Sequence, residues 1–417
     1  MSSPAEEGTP SRVDVAAAAA LLRTSTAVRE RSRQLLDRAR AGDSPWFTVH
    51  DHTLGSAADI VAETTRDRYP DGAIPFHSRW RHFEAGGIDR LGSLRDTLPP
   101  EGSPDRSRAL IDVVLVSVLL DAGAGAEWSY REESTGLVLT RSEGLGVASW
   151  EAFTGGLFSG DAARPLRVDA AGLRAVTVEK LGAAFQVSPV NPLAGVEGRV
   201  ELLRRLGDAL ADQPAVFGPD GRPGGLFDHL TSDGRAVTAS EILGAVLNHL
   251  GPIWPSDNEI GSMPMGDCWP HRAVTGPGLT AGWIPFHKLS QWLTYSLLEP
   301  FRWAGVEVTG IDELTGLPEY RNGGLLLDTG VLELRDEDWT GVEWEVGDQI
   351  VVEWRALTVA LLDELADLVR DRLGTDSTTM PLACVLEGGT WAAGRVLAAR
   401  LRNGLPPLSI RSTGTVF

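Results

Sequence analysis

Leucines at 357, 361, 365, 368 and 373 return every three or four residues along VVEWRALTVALLDELADLVRDRL, and the run stops at Gly374. That period predicts a helix over about 353–373 with an apolar stripe along its length, closed by a glycine that can turn left-handed. A stripe this long is buried most readily against other helices, so it constrains the rest of the chain. The same period recurs at 198–212 (Val200, Leu203, Leu206, Leu210) and after Thr238, where Glu241 completes a capping box. Further helices are predicted over 13–41, within 47–69, over 108–121, around 145–158 and over 286–299.

Strand signals are few: LLLD at 325–328, IVV at 350–352 and the terminal LSIRSTGTVF. Residues 71–90 and 252–285 are rich in Pro, Gly and aromatics and read as loops. The expected fold is therefore mainly α, an irregular multi-helix domain with few short strands. Residues 1–12 are expected to be disordered. Residues 13–417 should form a single mostly helical domain, in two lobes of about 13–280 and 281–417.

Composition narrows the function. A net charge of −19 argues against nucleic acid and against an anionic membrane surface. The longest apolar run, VVLVSVLL at 113–120, is too short to span a bilayer. Two cysteines, Cys268 and Cys384, form no disulfide framework and suit a reducing compartment, so a cytoplasmic location is expected. The expected partner is a small molecule. No cofactor is called for, and no signal points to a particular oligomeric state.

Of the 38 basic residues only Lys180 and Lys288 are lysines. A chain that otherwise uses arginine has reason to keep a compact ammonium where it keeps one. Lys180 lies in a plain amphipathic segment. Lys288 lies in FHKLSQWLTYSLLEP, where Phe286, Leu289, Leu293 and Leu297 form the core face and Lys288, Gln291 and Tyr295 a second one. Pro300 is expected to close this helix.

Downstream, GIDELTGLPEYRNGG places Asp312 seven residues before Glu319. If a helix follows the LP turn, Glu319 sits at its start, where free backbone N–H groups keep a carboxylate ionised. A purely capping role would leave the same trace. His77, Arg79, Arg81 and His82 alternate in a loop and suit a phosphate pocket better than a metal. Trp128 stands near Asp121-Ala-Gly-Ala-Gly and is a candidate pocket wall or a core residue. That glycine pattern lacks the strand–turn–helix context of a dinucleotide site. Asp267, Cys268 and His271 have only a faint resemblance to zinc ligands.

Longer motifs are more specific. HSRWRHFEAGG (77–87), VSVLLDAGAG (116–125), RSEGL (141–145), FQVSPVNPL (185–193), RPGGLFDHL (222–230), PFHKLSQWLTYSL (285–297), LTGLPEYRNGGLL (314–326), VVEWRALTVALLD (351–363) and LEGGTWAAGR (386–395) together resemble the uracil catabolism protein 4 family over nearly the whole chain. The resemblance implies a role in a pyrimidine-breakdown route that passes through a ribosylurea-type intermediate and yields urea.

A more distant resemblance, mainly over 286–363, is to the queuosine-nucleotide N-glycosidase family. It rests on Phe286 with Lys288 and Gln291, Asp312 with Leu314 and Thr315, Glu319-Tyr320-Arg321, Gly330-Val331-Leu332, and Glu353 with Arg355. It implies cleavage of a ribose–nitrogen bond on a helical fold related to DNA glycosylases. This chain departs from that pattern by having Glu319 where the family has aspartate and Asn322-Gly323 where it has Pro-Gln.

An N-ribosidic bond breaks through an oxocarbenium-like sugar, which a carboxylate stabilises. Glu319 is the candidate, by direct attack or by activating water. Urea leaves poorly unless protonated, and Lys288 or Asp312 is the candidate donor. Tyr320, Arg321, Asn322, His287, Gln291, Glu353 and Arg355, with His77, Arg79, Asp121 and Trp128, are expected to bind the ribosyl or phosphoribosyl urea or to support the residues that do. Arg321 and Arg355 are the expected phosphate ligands. Two other readings stay open: a metal-dependent amidohydrolase acting on a ring-opened intermediate, and a protein that binds such an intermediate without catalysis.

Overall fold

In the computed structural model, which describes residues 11–125, 127–254 and 257–411, the leucine stripe is a helix, Gln349–Leu373. It ends where expected: Gly374 is left-handed at φ 68°, and its N–H and that of Thr375 return to the last-turn carbonyls. Its first half is buried at every position from Ile350 to Leu362 rather than on one stripe. Helices Ser25–Arg40, Leu54–Arg68 and Tyr320–Asp328 pack around it. The fold is mainly α, with irregular loops and short strands.

The strands occur as small two-stranded ladders. Phe47–Val49 pairs antiparallel with Leu332–Leu334, Phe47 opposite Leu334. Cys268–Pro270 pairs antiparallel with Trp283–Pro285. Glu343–Glu345 and Ser409–Arg411 run parallel, so the terminal strand expected from LSIR is present; residues 412–417 lie outside the described ones.

Two other expected strands are helical. LLLD at 325–328 completes Tyr320–Asp328, and IVV at 350–352 is the first turn of Gln349–Leu373. Runs of three or four apolar residues carry too little periodicity to separate the two states. Here the capping carboxylate Glu319 and the tertiary packing decided it.

Helix Lys288–Trp303 runs through Pro300 instead of ending before it. A proline there removes the N–H that would serve the carbonyl of Ser296. The indole Nε1–H of Trp80 donates to that carbonyl at 2.9 Å, so the proline leaves no buried acceptor unpaired. The second face of this helix is also not a solvent face. Gln291 and Tyr295 are fully buried, and the Tyr295 hydroxyl donates to the Thr315 carbonyl at 2.8 Å.

Of the stretch 1–12, residues 1–10 lie outside the described ones; Ser11 caps the helix Arg12–Leu22 by accepting from the Asp14 N–H. Stretches before and after residue 280 interleave. The helices at 25–40 and 54–68 lie on Gln349–Leu373, and one apolar core draws residues from Leu36 to Leu408. Helix Pro104–Leu119, buried at every position from Ala109 onward, packs on Lys288–Trp303 and delivers the Asp121–Gly125 loop. Among the described residues no helix is long and apolar enough to cross a membrane.

Candidate functional site

Glu319 is the N-cap of helix Tyr320–Asp328, in extended backbone at φ −114° and ψ 165°. Its carboxylate accepts from the N–H of Arg321 at 2.6 Å and of Asn322 at 2.7 Å. Pro318 makes the turn that aims it: the Leu317 carbonyl accepts from the Glu319 N–H at 2.9 Å and from Asn322 Nδ2 at 3.2 Å. Burial pushes the carboxyl pKa above its ordinary range, opposed by the two N–H groups and by the charge of Lys288.

Lys288 opens its helix one residue after His287, which is left-handed at φ 49° and ψ 37°. For a non-glycine residue that conformation costs on the order of 1–3 kcal/mol and persists only where surroundings enforce it. Here the His287 ring meets the Leu22 carbonyl at 3.0 Å, while the Lys288 N–H donates to Asp267 Oδ2 at 2.9 Å. Arg355 grips both oxygens of Asp267, at 2.7 and 2.8 Å. A strut thus runs from the central helix through Asp267 to the backbone of Lys288. Burial lowers the ammonium pKa, and the carboxylate of Glu319 is the strongest charge opposing that.

Both side chains line a cleft of about 600 Å³. Around it stand His77, Asp121 and Tyr320, as the sequence led us to expect, together with Trp292, Trp391, Glu143 and Glu387. Trp292 and Trp391 offer aromatic surface, and Leu289, Leu317 and Leu408 give the lining apolar patches.

The other expected residues are not among those lining the cleft. Asp312 is held by Arg370 at 2.8 Å and by the Leu382 N–H at 2.7 Å. Glu353 is fully buried and engages Ser44 and Arg38. Arg321 donates to the Gly404 carbonyl at 3.1 Å with its guanidinium over the Tyr320 ring, and Arg355 is committed to Asp267. Neither of the arginines expected at a phosphate is therefore aimed at one. Trp128 is core, its indole donating to the Phe185 carbonyl at 3.0 Å. Arg79 lies buried behind the lining and ties Asp121, at 3.0 Å, to Ser117, at 2.7 Å. Gln291, Asn322 and His287 support the turn and the helix start rather than line the space.

Glu387 and Glu143 were not among the residues expected at the site, though LEGGTWAAGR and RSEGL contain them. Glu387 lies on a π-helical turn, Leu386–Thr390, a conformation common at functional sites. Its carboxylate accepts from Arg68 and from the Tyr69 hydroxyl, both at 2.9 Å, and meets His77 Nδ1 at 2.9 Å. Burial alone would raise its pKa; His77 and Arg68 outweigh it and bring the value down to about 2. The signal in the sequence was the pair of glycines after it. A Cβ on Gly389 would sit 2.4 Å from the Val61 carbonyl, so helix Leu54–Arg68 packs directly on this turn.

Glu143 pairs with Arg395 at 2.9 Å. His82 lies edge-on to Trp292, its Nδ1 buried without a hydrogen-bond partner, and burial and then Arg79 lower its pKa to about 4. Among the described residues no group of three or more His, Cys, Asp or Glu side chains is arranged to hold a metal ion. Asp267 and His271, from the faint zinc pattern, face Arg355 and Glu353.

Residues 21–417 match the family described as "Protein of unknown function (DUF1688)". The chain is similar to "Protein urg3" of Schizosaccharomyces pombe, with 40% identity over 403 residues, 94% of this chain and 96% of that protein. It is similar also to "Uracil catabolism protein 4" of Lachancea kluyveri, with 37% identity over 429 residues, 94% of this chain and 97% of that one.

Proposed function

The chain belongs to the DUF1688 family, and on that premise we propose that it serves uracil breakdown as an N-glycosidase-type hydrolase, cleaving ribosylurea or its 5′-phosphate to release urea. The observation that carries this reading is Glu319, a carboxylate held by two backbone N–H groups beside the Lys288 ammonium in a cleft with aromatic sides. The two N–H bonds orient the carboxylate before substrate arrives, so no reorganisation is needed when positive charge develops on the sugar. The charge of Lys288, after the two N–H groups, opposes the effect of burial on Glu319, and its ammonium offers donors to a ribose hydroxyl. Tyr320 and Trp391 provide flat surface for the sugar and the planar urea.

A 5′-phosphate, if the substrate carries one, meets a cleft whose arginines are mostly spoken for: Arg68 by Glu387, Arg81 by Glu299 and Arg395 by Glu143. Arg141, at the start of helix Arg141–Thr154, has no carboxylate partner among the described residues and lines the same space.

The test is urea release from ribosylurea and from its 5′-phosphate by the native protein and by Glu319→Gln. Loss of one preorganised electrostatic group costs about 3–4 kcal/mol of barrier, so the variant should be about 10²–10³ slower. No urea from the native protein with either substrate removes the hydrolase reading. It would move the weight to binding without catalysis, which equilibrium dialysis with ribosylurea would then measure.

A further inference from the structure

The reading above needs a proton donor for the departing urea nitrogen. Lys288 stands with Glu319, each the strongest charge favouring the other's ionised form, and Asp312 is spent on Arg370 and the Leu382 N–H. Of the other cleft groups, Glu143 is paired with Arg395 and Asp121 with Arg79, so neither is free to donate. His82 is held neutral by burial, and burial also raises the Tyr320 hydroxyl, a weaker acid still.

His77 has the geometry. Its Nδ1 faces Glu387 at 2.9 Å, which settles that nitrogen as N–H and leaves Nε2 as the working atom of a cleft-lining ring. Glu387 is itself braced by Arg68 and Tyr69 on the π-helical turn. The Trp391 ring stands 6.5 Å from that of His77, and Glu319 lines the same cleft. A carboxylate that orients an imidazole whose ring lines the cleft is the arrangement of a general acid.

We infer that His77 is the catalytic acid of this site and that Glu387 is its positioning residue. The inference rests on the hydrolase reading. As the C1′–N bond breaks, its electron pair goes to the urea nitrogen, which takes the proton from His77 Nε2. Water adds to C1′ and gives its proton to the Glu319 carboxylate. The products are ribose and urea, with His77 neutral and Glu319 protonated; transfer of that proton back to His77 through solvent resets the site.

A substrate whose leaving group needs no proton separates the roles. The native protein, His77→Gln, Glu387→Gln and Glu319→Gln are assayed with ribosylurea and with 4-nitrophenyl β-D-ribofuranoside. General acid catalysis contributes about 10²–10⁴, so His77→Gln should lose at least about a hundredfold in urea release while nitrophenol release stays close to native. Glu387→Gln should move the ratio of the two rates in the same direction, which general loss of structure would not. Glu319→Gln should lose both. If His77→Gln slows the two substrates alike, or neither, the assignment is overturned. If the native protein cleaves neither, the hydrolase reading itself has failed.

Discussion

Of the carboxylates that line the cleft, Glu319 stands out from its neighbours in sequence while Glu143 and Glu387 do not, and the difference is local. Glu319 announces itself because Pro318 and the residues after it make a turn whose purpose can be read over a few positions. Lys288 stands out by scarcity. Asp312, Glu353 and Arg355 are of equally suggestive types, yet they serve as struts, because their partners lie 58, 315 and 88 residues away, at Arg370, Arg38 and Asp267. Charge pairing over such separations leaves no trace in a single sequence. The same holds for His77 and Glu387, 310 residues apart. At this scale the phosphate question becomes testable through Arg141. If the substrate is phosphorylated, Arg141→Gln should raise the KM for ribosylurea 5′-phosphate about tenfold, the weight of one charge-assisted hydrogen bond, and leave the KM for ribosylurea unchanged. Equal effects on both substrates would place the phosphate elsewhere.

Long periodic elements were legible and short ones were not. The capped helices at Gln349–Leu373 and Ala239–His249 follow their leucine spacing and their caps. LLLD went the other way because Glu319 starts a helix just upstream, and Pro300 because an indole from Trp80 replaced the missing donor. Helix Trp391–Arg402 shows how packing can reverse propensity. Gly394 lies inside it, where alanine would ordinarily gain about 1 kcal/mol. A Cβ there would lie 2.2 Å from the Arg321 carbonyl, on the backbone of the helix that Glu319 caps. Backbone cannot rotate away, so Gly394→Ala should destabilise by about 1–3 kcal/mol net in urea unfolding. On the hydrolase proposed above it should also slow urea release, since Trp391 and Tyr320 line one cleft. A gain in stability would show that the two helices are less tightly seated than this contact requires.

Across the whole molecule the helical class was legible from periodicity, and the interleaving of the chain was not, since nothing in one segment's pattern names its distant partner. Buried ionisable groups tie that fold to pH. Burial raises the pKa of Glu299, beside Arg81 and Ser78, to about 7. Its unfolded value is near 4.3, so the folded state holds the extra proton between those limits. Stability from this group is complete below about pH 4.3 and is lost as pH rises through about 7. Unfolding free energies for native protein and Glu299→Gln, measured from pH 5 to 8, should therefore show the native protein losing ground to the variant as pH rises. A constant difference would mean that Glu299 titrates at its ordinary value.

The packing of Ser25–Arg40 and Leu54–Arg68 on Gln349–Leu373 has a consequence for the chain as it is made. At roughly 5–20 residues per second, about 15–70 seconds of synthesis separate the first of these helices from the last. Throughout that interval Val28 and Leu35, fully buried in the finished protein, lack Val352, Ala356 and Val359, which complete the core cluster they share. The opening helices therefore complete their packing only when the ribosome has made the helix that closes the core, and apolar surface meant for it stays open until then.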